Sequence, residues 1–201
     1  MLNKERPILF NEPMVHALLA GRKTQIRRVV KCPKGMEDIW QDGQGHFDIQ
    51  PRYNKPGYEM WDWETDECNK TPLVCPNGRP GDRLWVKETF RYTPQLETKI
   101  KYRADYGGSF LSVLAESMAT WKPSIHMPRA ASRILLEIKA VRCERLQDIS
   151  EADAVAEGYT GYRPSQDEPT DQYRRALPVN GPGAWATNPW VWVVEFQRVD
   201  A

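Results

Sequence analysis

The longest unbroken alternation in the chain runs from Ser132 to Leu146, with Ile134, Leu136 and Ile138 on one face and Glu137 and Lys139 on the other. A period of two over that length predicts a strand with one face buried, feeding a small barrel. Arg83-Leu84-Trp85-Val86-Lys87-Glu88 alternates in the same way after a Pro80-Gly81-Asp82 turn, and Ile100 to Ala104 adds a further strand. Trp190-Val191-Trp192-Val193-Val194-Glu195-Phe196 is apolar at nearly every position, which predicts a final strand covered on both sides. Strands outnumber helices, so the expected class is α+β: a strongly bent antiparallel or mixed sheet with flanking helices.

Helix signals are few and sharp. Asn11 is placed to cap a helix whose first turn holds Glu12 and Pro13, and Met14, Val15, Leu18 and Leu19 share one face. Gly21 stops it, since a glycine accepts the left-handed conformation of a helix terminus without a side-chain clash. A second helix opens at Ser150, with Asp153 completing a capping box and Ile149 positioned to staple onto Ala154, and ends at Gly158. Ser112 to Ala119 reads as another short helix. Pro123 and Pro128 make Trp121 to Arg129 an extended loop. Lys31 to Pro80 and Tyr159 to Asn188 are rich in proline, glycine and polar residues without sustained periodicity. A chain of 201 residues is therefore expected to be one domain with loop insertions at about 32–79 and 159–188.

A formal net charge of +1 argues against a protein that grips long duplex nucleic acid through a general positive field. A local patch is still present, because Arg22, Lys23, Arg27, Arg28 and Lys31 cluster near the start while Glu59, Asp62, Glu64, Asp66 and Glu67 make the middle acidic. No apolar run approaches the roughly 20 residues needed to cross a bilayer, and Met1 is followed by a polar start, so no membrane partner and a cytoplasmic location are expected. The 4 cysteines are too few for a disulfide scaffold. Cys32, His46, Cys68 and Cys75 are candidate ligands for a structural zinc within the first insertion, although no Cys-x-x-Cys pair is present; unligated core thiols are the other reading. No cofactor is expected.

The stretch Gly21-Arg22-Lys23-Thr24-Gln25-Ile26-Arg27-Arg28 sets several cations just past a helix C-terminus. They suit either solvated capping charges or an anion contact. Lys23 can orient an anion or, once desolvated, act as a base, and Thr24 offers a hydroxyl beside it. Glu157 lies in the last turn of the second helix, where the helix dipole disfavours negative charge, so burial would suit it to general-acid work. The alternative is a solvated helix-end glutamate. His126 and Arg129, on the double-proline loop, suit contact with a phosphate or base edge, or plain loop packing. Trp61, Trp63, Tyr102 or Trp121 could stack on an unpaired base, although most large rings bury area first.

Four blocks taken in order, Leu19 to Thr24, Pro80 to Glu88, Trp121 to Arg133, and Ile149 to Gly158 with Asn188 to Val193, resemble the ASCH family, a PUA-like group of small barrel domains. The likeness is greatest to the longer ASCH proteins carried by phages and prophages. The resemblance implies a single PUA-like domain over residues 1–201, in a bacterial host cell, with a cleft suited to RNA or a modified nucleoside. Together with the cationic and aromatic residues noted above, this gives an expected ligand set of Arg22, Lys23, Arg28, Trp121, His126 and Arg129. Short ASCH enzymes remove the acetyl group of acetylcytidine with a lysine, a threonine three positions later and a glutamate. Carried onto this chain, the lysine is Lys23, the glutamate is Glu157 and the following arginine is Arg28, but the threonine position holds Ile26. An aliphatic side chain cannot attack a carbonyl, so that chemistry would need Thr24 or water as nucleophile. The departure favours a binding module, with an amidohydrolase or ribonuclease built on Lys23 and Glu157 as the alternative. A third class is a phage accessory protein that uses its Trp-rich insertion as a protein interface.

Overall fold

The computed structural model describes residues 3–31, 48–55, 58–64, 71–93, 100–106, 120–159 and 184–199, with the backbone alone for 48–55, 58–64 and 71–73. In chain order the elements are β1 (Glu5–Leu9), α1 (Glu12–Leu19), β2 (Gln25–Val29), β3 (Asp48–Lys55), β4 (Tyr58–Glu64) and β5 (Thr71–Leu73). There follow β6 (Arg83–Lys87), β7 (Phe90–Tyr92), β8 (Ile100–Tyr102), β9 (Leu135–Arg145), α2 (Glu151–Ala156), α3 (Ala184–Thr187) and β10 (Trp190–Val199). The class is α+β. No helix among the described residues is long and apolar enough to cross a membrane.

The spine of the main sheet is ordered β1-β6-β9-β10-β2, and β7 and β8 form a separate hairpin. β1 runs parallel to β6, whereas β6 with β9, β9 with β10 and β10 with β2 are antiparallel. The path is open: among the described residues β1 and β2 stand at its ends with no ladder between them, so the closed small barrel expected from the sequence is not formed. What joins those ends is a side chain, the Arg28 guanidinium of β2 donating to the Leu9 carbonyl of β1 at 3.2 Å.

β9 is the centre of the sheet for the reason its alternation implies. Ile134, Leu136 and Ile138 are at most 2% exposed. The alternation does not persist to the end of the strand. Glu195 pairs with Ala140 but Phe196 pairs with Ile138, so Lys139 is an extra, bulged residue. From there the core-facing parity changes, and Val141 and Cys143 join the same apolar cluster as Leu136 and Ile138. β10 is buried on both faces as expected: Trp192, Val194 and Phe196 enter the main core, while Val191 and Val193 pack with Leu146, Ile149 and Ala154 under α2.

Both main helices begin and end as their sequences dictate. Asn11 Oδ1 accepts the Met14 N–H at 3.0 Å, and Pro13 occupies the first turn, where its missing N–H costs nothing. Ser150 and Asp153 form the reciprocal capping box of α2. At the C-terminus of α1, Gly21 N–H bonds to Leu18 O at 3.0 Å and Arg22 N–H to Ala17 O at 2.9 Å. At the end of α2, Gly158 N–H bonds to Val155 O at 2.8 Å and Tyr159 N–H to Ala154 O at 3.1 Å, the same crossed pattern. One helical detail differs: Leu19, expected on the apolar face, is 37% exposed, and Ala17 at 4% takes the buried place. The smaller side chain lets α1 approach the end of α2.

The segment from Lys31 to Pro80, expected to be irregular, contains the β3-β4-β5 meander, joined to β9 through the pair Tyr58 and Val141. Pro51 and Pro72 inside the strands, with a register shift between Pro51 and Tyr53, hide its period in the sequence. The expected Ile100 to Ala104 strand stops at Tyr102 and tightens into a 3-10 turn at Arg103–Tyr106. Two more such turns, Ser124–His126 and Arg129–Ala131, shape the double-proline loop. The expected helix at Ser112 to Ala119 and the stretch 160–183 lie outside the described residues.

Candidate functional site

The two helix C-termini meet, and what lies between them is charged. Thr24 N–H donates to Ala156 O and Phe196 N–H donates to Thr24 O, both at 2.8 Å, which ties the turn after α1 to the last turn of α2 and to β10. Held there, Lys23 turns inward. Its Nζ lies 2.7 Å from Glu157 Oε2 and donates to the Glu157 carbonyl at 2.9 Å. The Lys23 and Glu157 side chains are 0% and 3% exposed. The ammonium thus satisfies an orphan carbonyl of α2 and neutralises a carboxylate at the negative end of the helix. It also sits 5.7 Å from the centre of the Phe10 ring. Burial pulls Lys23 below the usual lysine range, against the Glu157 charge, which acts to raise it.

Arg27 continues this pair into a network. Its side chain is fully buried, with NH2 2.6 Å from Glu144 Oε1, NH2 3.4 Å from Asp153 Oδ2 and NH1 3.5 Å from Glu157 Oε1. Arg142 extends it from β9, bonded to Asp153 Oδ1 at 3.0 Å and paired with Glu195 and Glu144. Gln25 donates to Asp153 Oδ1 at 2.9 Å. Burial by itself would raise the Asp153 carboxyl, but bonds from Gln25 and Ser150, together with the Arg27 charge, outweigh it and hold that group well below the usual carboxylate range. A depressed carboxyl stabilises the fold fully above its unfolded value of 3.8 and loses that contribution as the pH falls through the folded value. The urea midpoint of the protein should therefore drop on acidification below about pH 4. The gap between it and an Asp153→Asn variant should close over the same window. Parallel curves would assign the acid sensitivity to other groups.

A separate open cleft of about 700 Å³ lies beside this network. One wall is the β1–α1 junction, Leu9 to Met14, and the other carries Thr89, Arg103 and Ser124, with Arg28 also lining the space. Phe10 connects the two regions, since it lines the cleft and has the Lys23 ammonium near its ring. Across the mouth, Arg103 Nε is 3.3 Å from Glu12 Oε2. The Thr89 wall is braced from behind: Glu88, 2% exposed, receives the Arg133 guanidinium at 2.9 and 3.0 Å, and Arg103 N–H donates to Thr89 O at 2.9 Å. Burial raises the Glu88 carboxyl, against the effect of Arg133.

The residues singled out from sequence are divided among several places. Lys23 and Glu157 come together, and Arg28 lines the cleft. Thr24 and Arg22 face solvent, Thr24 being held by its backbone. Arg129 pairs with Glu5 at 2.8 Å on the surface, and His126 is exposed on the neighbouring turn. Trp121 stacks with Arg91, 4.9 Å from its ring, and meets Tyr106 edge-on. Tyr102 is covered by Arg133 at 4.0 Å and donates its hydroxyl to Ala131 O, so its ring belongs to the Glu88 brace. Ile26 is 1% exposed in the main core. Of the zinc candidates, Cys75 is buried with its thiol pushed up to about 11 by burial, and Cys32, His46 and Cys68 lie outside the described residues, as do the side chains of Trp61 and Trp63. No cluster of metal-ligating side chains occurs among the described residues.

Sequence reasoning passed over Arg103 and Glu12 as site residues, together with Thr89, Ser124, Glu144 and Arg142, and named Arg27 only within the cation run. For Arg27 the signal was present: on a strand, Gln25 and Arg27 share a face opposite to Ile26 and Arg28. No protein-family model, curated protein or solved structure matches the chain.

Proposed function

We propose that this protein binds RNA or a modified nucleoside in the cleft lined by Arg28, on a PUA-like scaffold of the ASCH type. The observation that carries the reading is the cleft itself. It combines a guanidinium oriented by its bond to the Leu9 carbonyl, the hydroxyl-bearing residues Thr89 and Ser124, and apolar surface from Phe10, Pro13 and Met14, in about 700 Å³. Such a mixture of apolar surface and polar or charged side chains suits a ligand with a flat ring and polar edges. The Lys23–Glu157 pair supports the same reading as a brace. Closed to solvent and mutually satisfied, it fixes the position of Phe10 and of the strand that carries Arg28.

Titrating ribonucleosides, acetylcytidine and short single-stranded RNAs at several salt concentrations tests this directly. Saturable binding that weakens by about tenfold in Arg28→Ala is expected, because a charge-assisted contact would be lost. Absence of saturable binding to every one of these ligands would remove the proposal.

A second reading, hydrolysis of an acetylcytidine-type amide or of RNA, is favoured by one observation: the desolvated Lys23, whose lowered proton affinity is the usual preparation of a lysine base. Deacetylation should be assayed in the parent protein and in Ile26→Thr. Activity only in the variant favours the binding module, whereas activity in both that vanishes in a folded Lys23→Ala favours the enzyme.

A further inference from the structure

The cleft brings together two guanidiniums and a carboxylate from separate parts of the chain. Arg28 approaches from β2, and Arg103 from the 3-10 turn after β8, an element far away in the chain; both line the same space with Thr89 and Ser124. Two guanidiniums lining one cleft with hydroxyl-bearing residues offer donors of the kind that recognise phosphate oxygens. Arg103 is paired with a carboxylate of the chain itself. Glu12 Oε2 lies 3.3 Å from Arg103 Nε, and its other oxygen is 3.8 Å from His16 Nε2. Arg103 and Glu12 are 48% and 35% exposed, so the pair is wet and exchangeable, unlike the sealed Lys23–Glu157 pair.

We propose that Glu12 holds the place of a ligand phosphate, and that the cleft takes a nucleoside bearing a phosphate in preference to the neutral nucleoside, with Arg103 and Arg28 as the phosphate contacts and Glu12 as the group displaced. The volume fits this assignment, since about 700 Å³ is far more than one phosphate needs and leaves room for the sugar and base against Phe10 and Met14. A neutral nucleoside offers Arg103 no charge to exchange for Glu12. A phosphate offers three oxygens and a full charge, and trades one ion pair for a stronger one.

This inference rests on the nucleoside-binding reading, and calorimetric titration can separate the two. The probes are acetylcytidine and the four ordinary ribonucleosides, the 5′-monophosphate of each, and the dinucleotide CpC without a terminal phosphate. The expected result is about tenfold tighter binding of the monophosphate than of its nucleoside. Arg103→Ala should abolish that preference, the monophosphate losing far more affinity than its nucleoside. Glu12→Gln should tighten monophosphate binding by about two- to fivefold relative to the nucleoside. Lys139→Ala, which removes an equal charge outside the cleft, should change neither. CpC bound as tightly as the monophosphate would place an internal RNA phosphodiester at the two arginines, and weaker CpC binding would place a terminal phosphate there; either outcome keeps the anion site. Equal affinity for nucleoside and monophosphate, or a preference that survives in Arg103→Ala, would overturn the inference alone. Binding of none of the probes would overturn the underlying reading with it.

Discussion

Glu157→Ala is expected to lose about 3–5 kcal/mol of folding stability, the usual cost of leaving one member of a buried ion pair alone. Truncation strands the Lys23 ammonium, whose side chain is 0% exposed, with the Glu157 backbone carbonyl at 2.9 Å as its remaining acceptor in this pair. It also takes away the carboxylate 3.5 Å from Arg27 NH1. The penalty comes from desolvated charge, so removing both charges should cost much less than removing one. Lys23→Met combined with Glu157→Leu is expected to recover most of the loss in urea unfolding, as apolar replacements of buried pairs do elsewhere. If the double variant is as unstable as the sum of the singles, the two side chains are not coupled.

Gly158→Ala should be nearly as damaging, at about 3 kcal/mol or more, for two separable reasons. The residue sits at φ 101°, where a side chain is strained by about 1–3 kcal/mol. An added Cβ would also lie 2.8 Å from the Cβ of Ala17 and 3.5 Å from that of Lys23, with overpacking worth about another 1–3 kcal/mol. Backbone strain is indifferent to the neighbour, and the collision is not. In an Ala17→Gly background, Gly158→Ala should therefore cost only the strain, even though Ala17→Gly itself loses roughly 1 kcal/mol of helix propensity. An unchanged cost in that background would show that the close approach of the two helix ends is not its source. Gly21 is the informative contrast: it too has a positive φ, 71°, yet an added Cβ there meets nothing within 4 Å. Gly21→Ala should lose the conformational term alone.

The contrast between those glycines shows which features were readable before any coordinates. Both were recognisable as helix stops, because the crossed bonds that end a helix involve only residues a few positions apart. That one of them also lies against a second helix was not. Lys23 and Glu157 were picked out singly by their places beside helix ends. Their pairing, across a separation of 134 residues, came from a family resemblance and not from spacing, and the structure puts them in direct contact instead of across a ligand pocket. The β3-β4-β5 meander was missed because prolines and a register shift broke its alternation, and the bulge at Lys139 because a single unpaired residue leaves no mark in composition. Arg103 was overlooked because its partner Glu12 belongs to another element, and nothing within either segment announces the other.

The amino-acid order by itself determined where α1 and α2 start and stop, which residues of β9 seek the interior before the bulge, and that β10 is covered on both sides. Those outcomes follow from steric and hydrogen-bonding preferences acting over a few residues. Which of two adjacent arginines would be sealed into the charged network and which would line the cleft was decided by tertiary structure. Arg27 stands opposite Val193 and Arg28 opposite Trp192 in the pairing of β2 with β10. A slip of one residue would exchange their faces, because side chains alternate along a strand and the partner strand alone fixes the register.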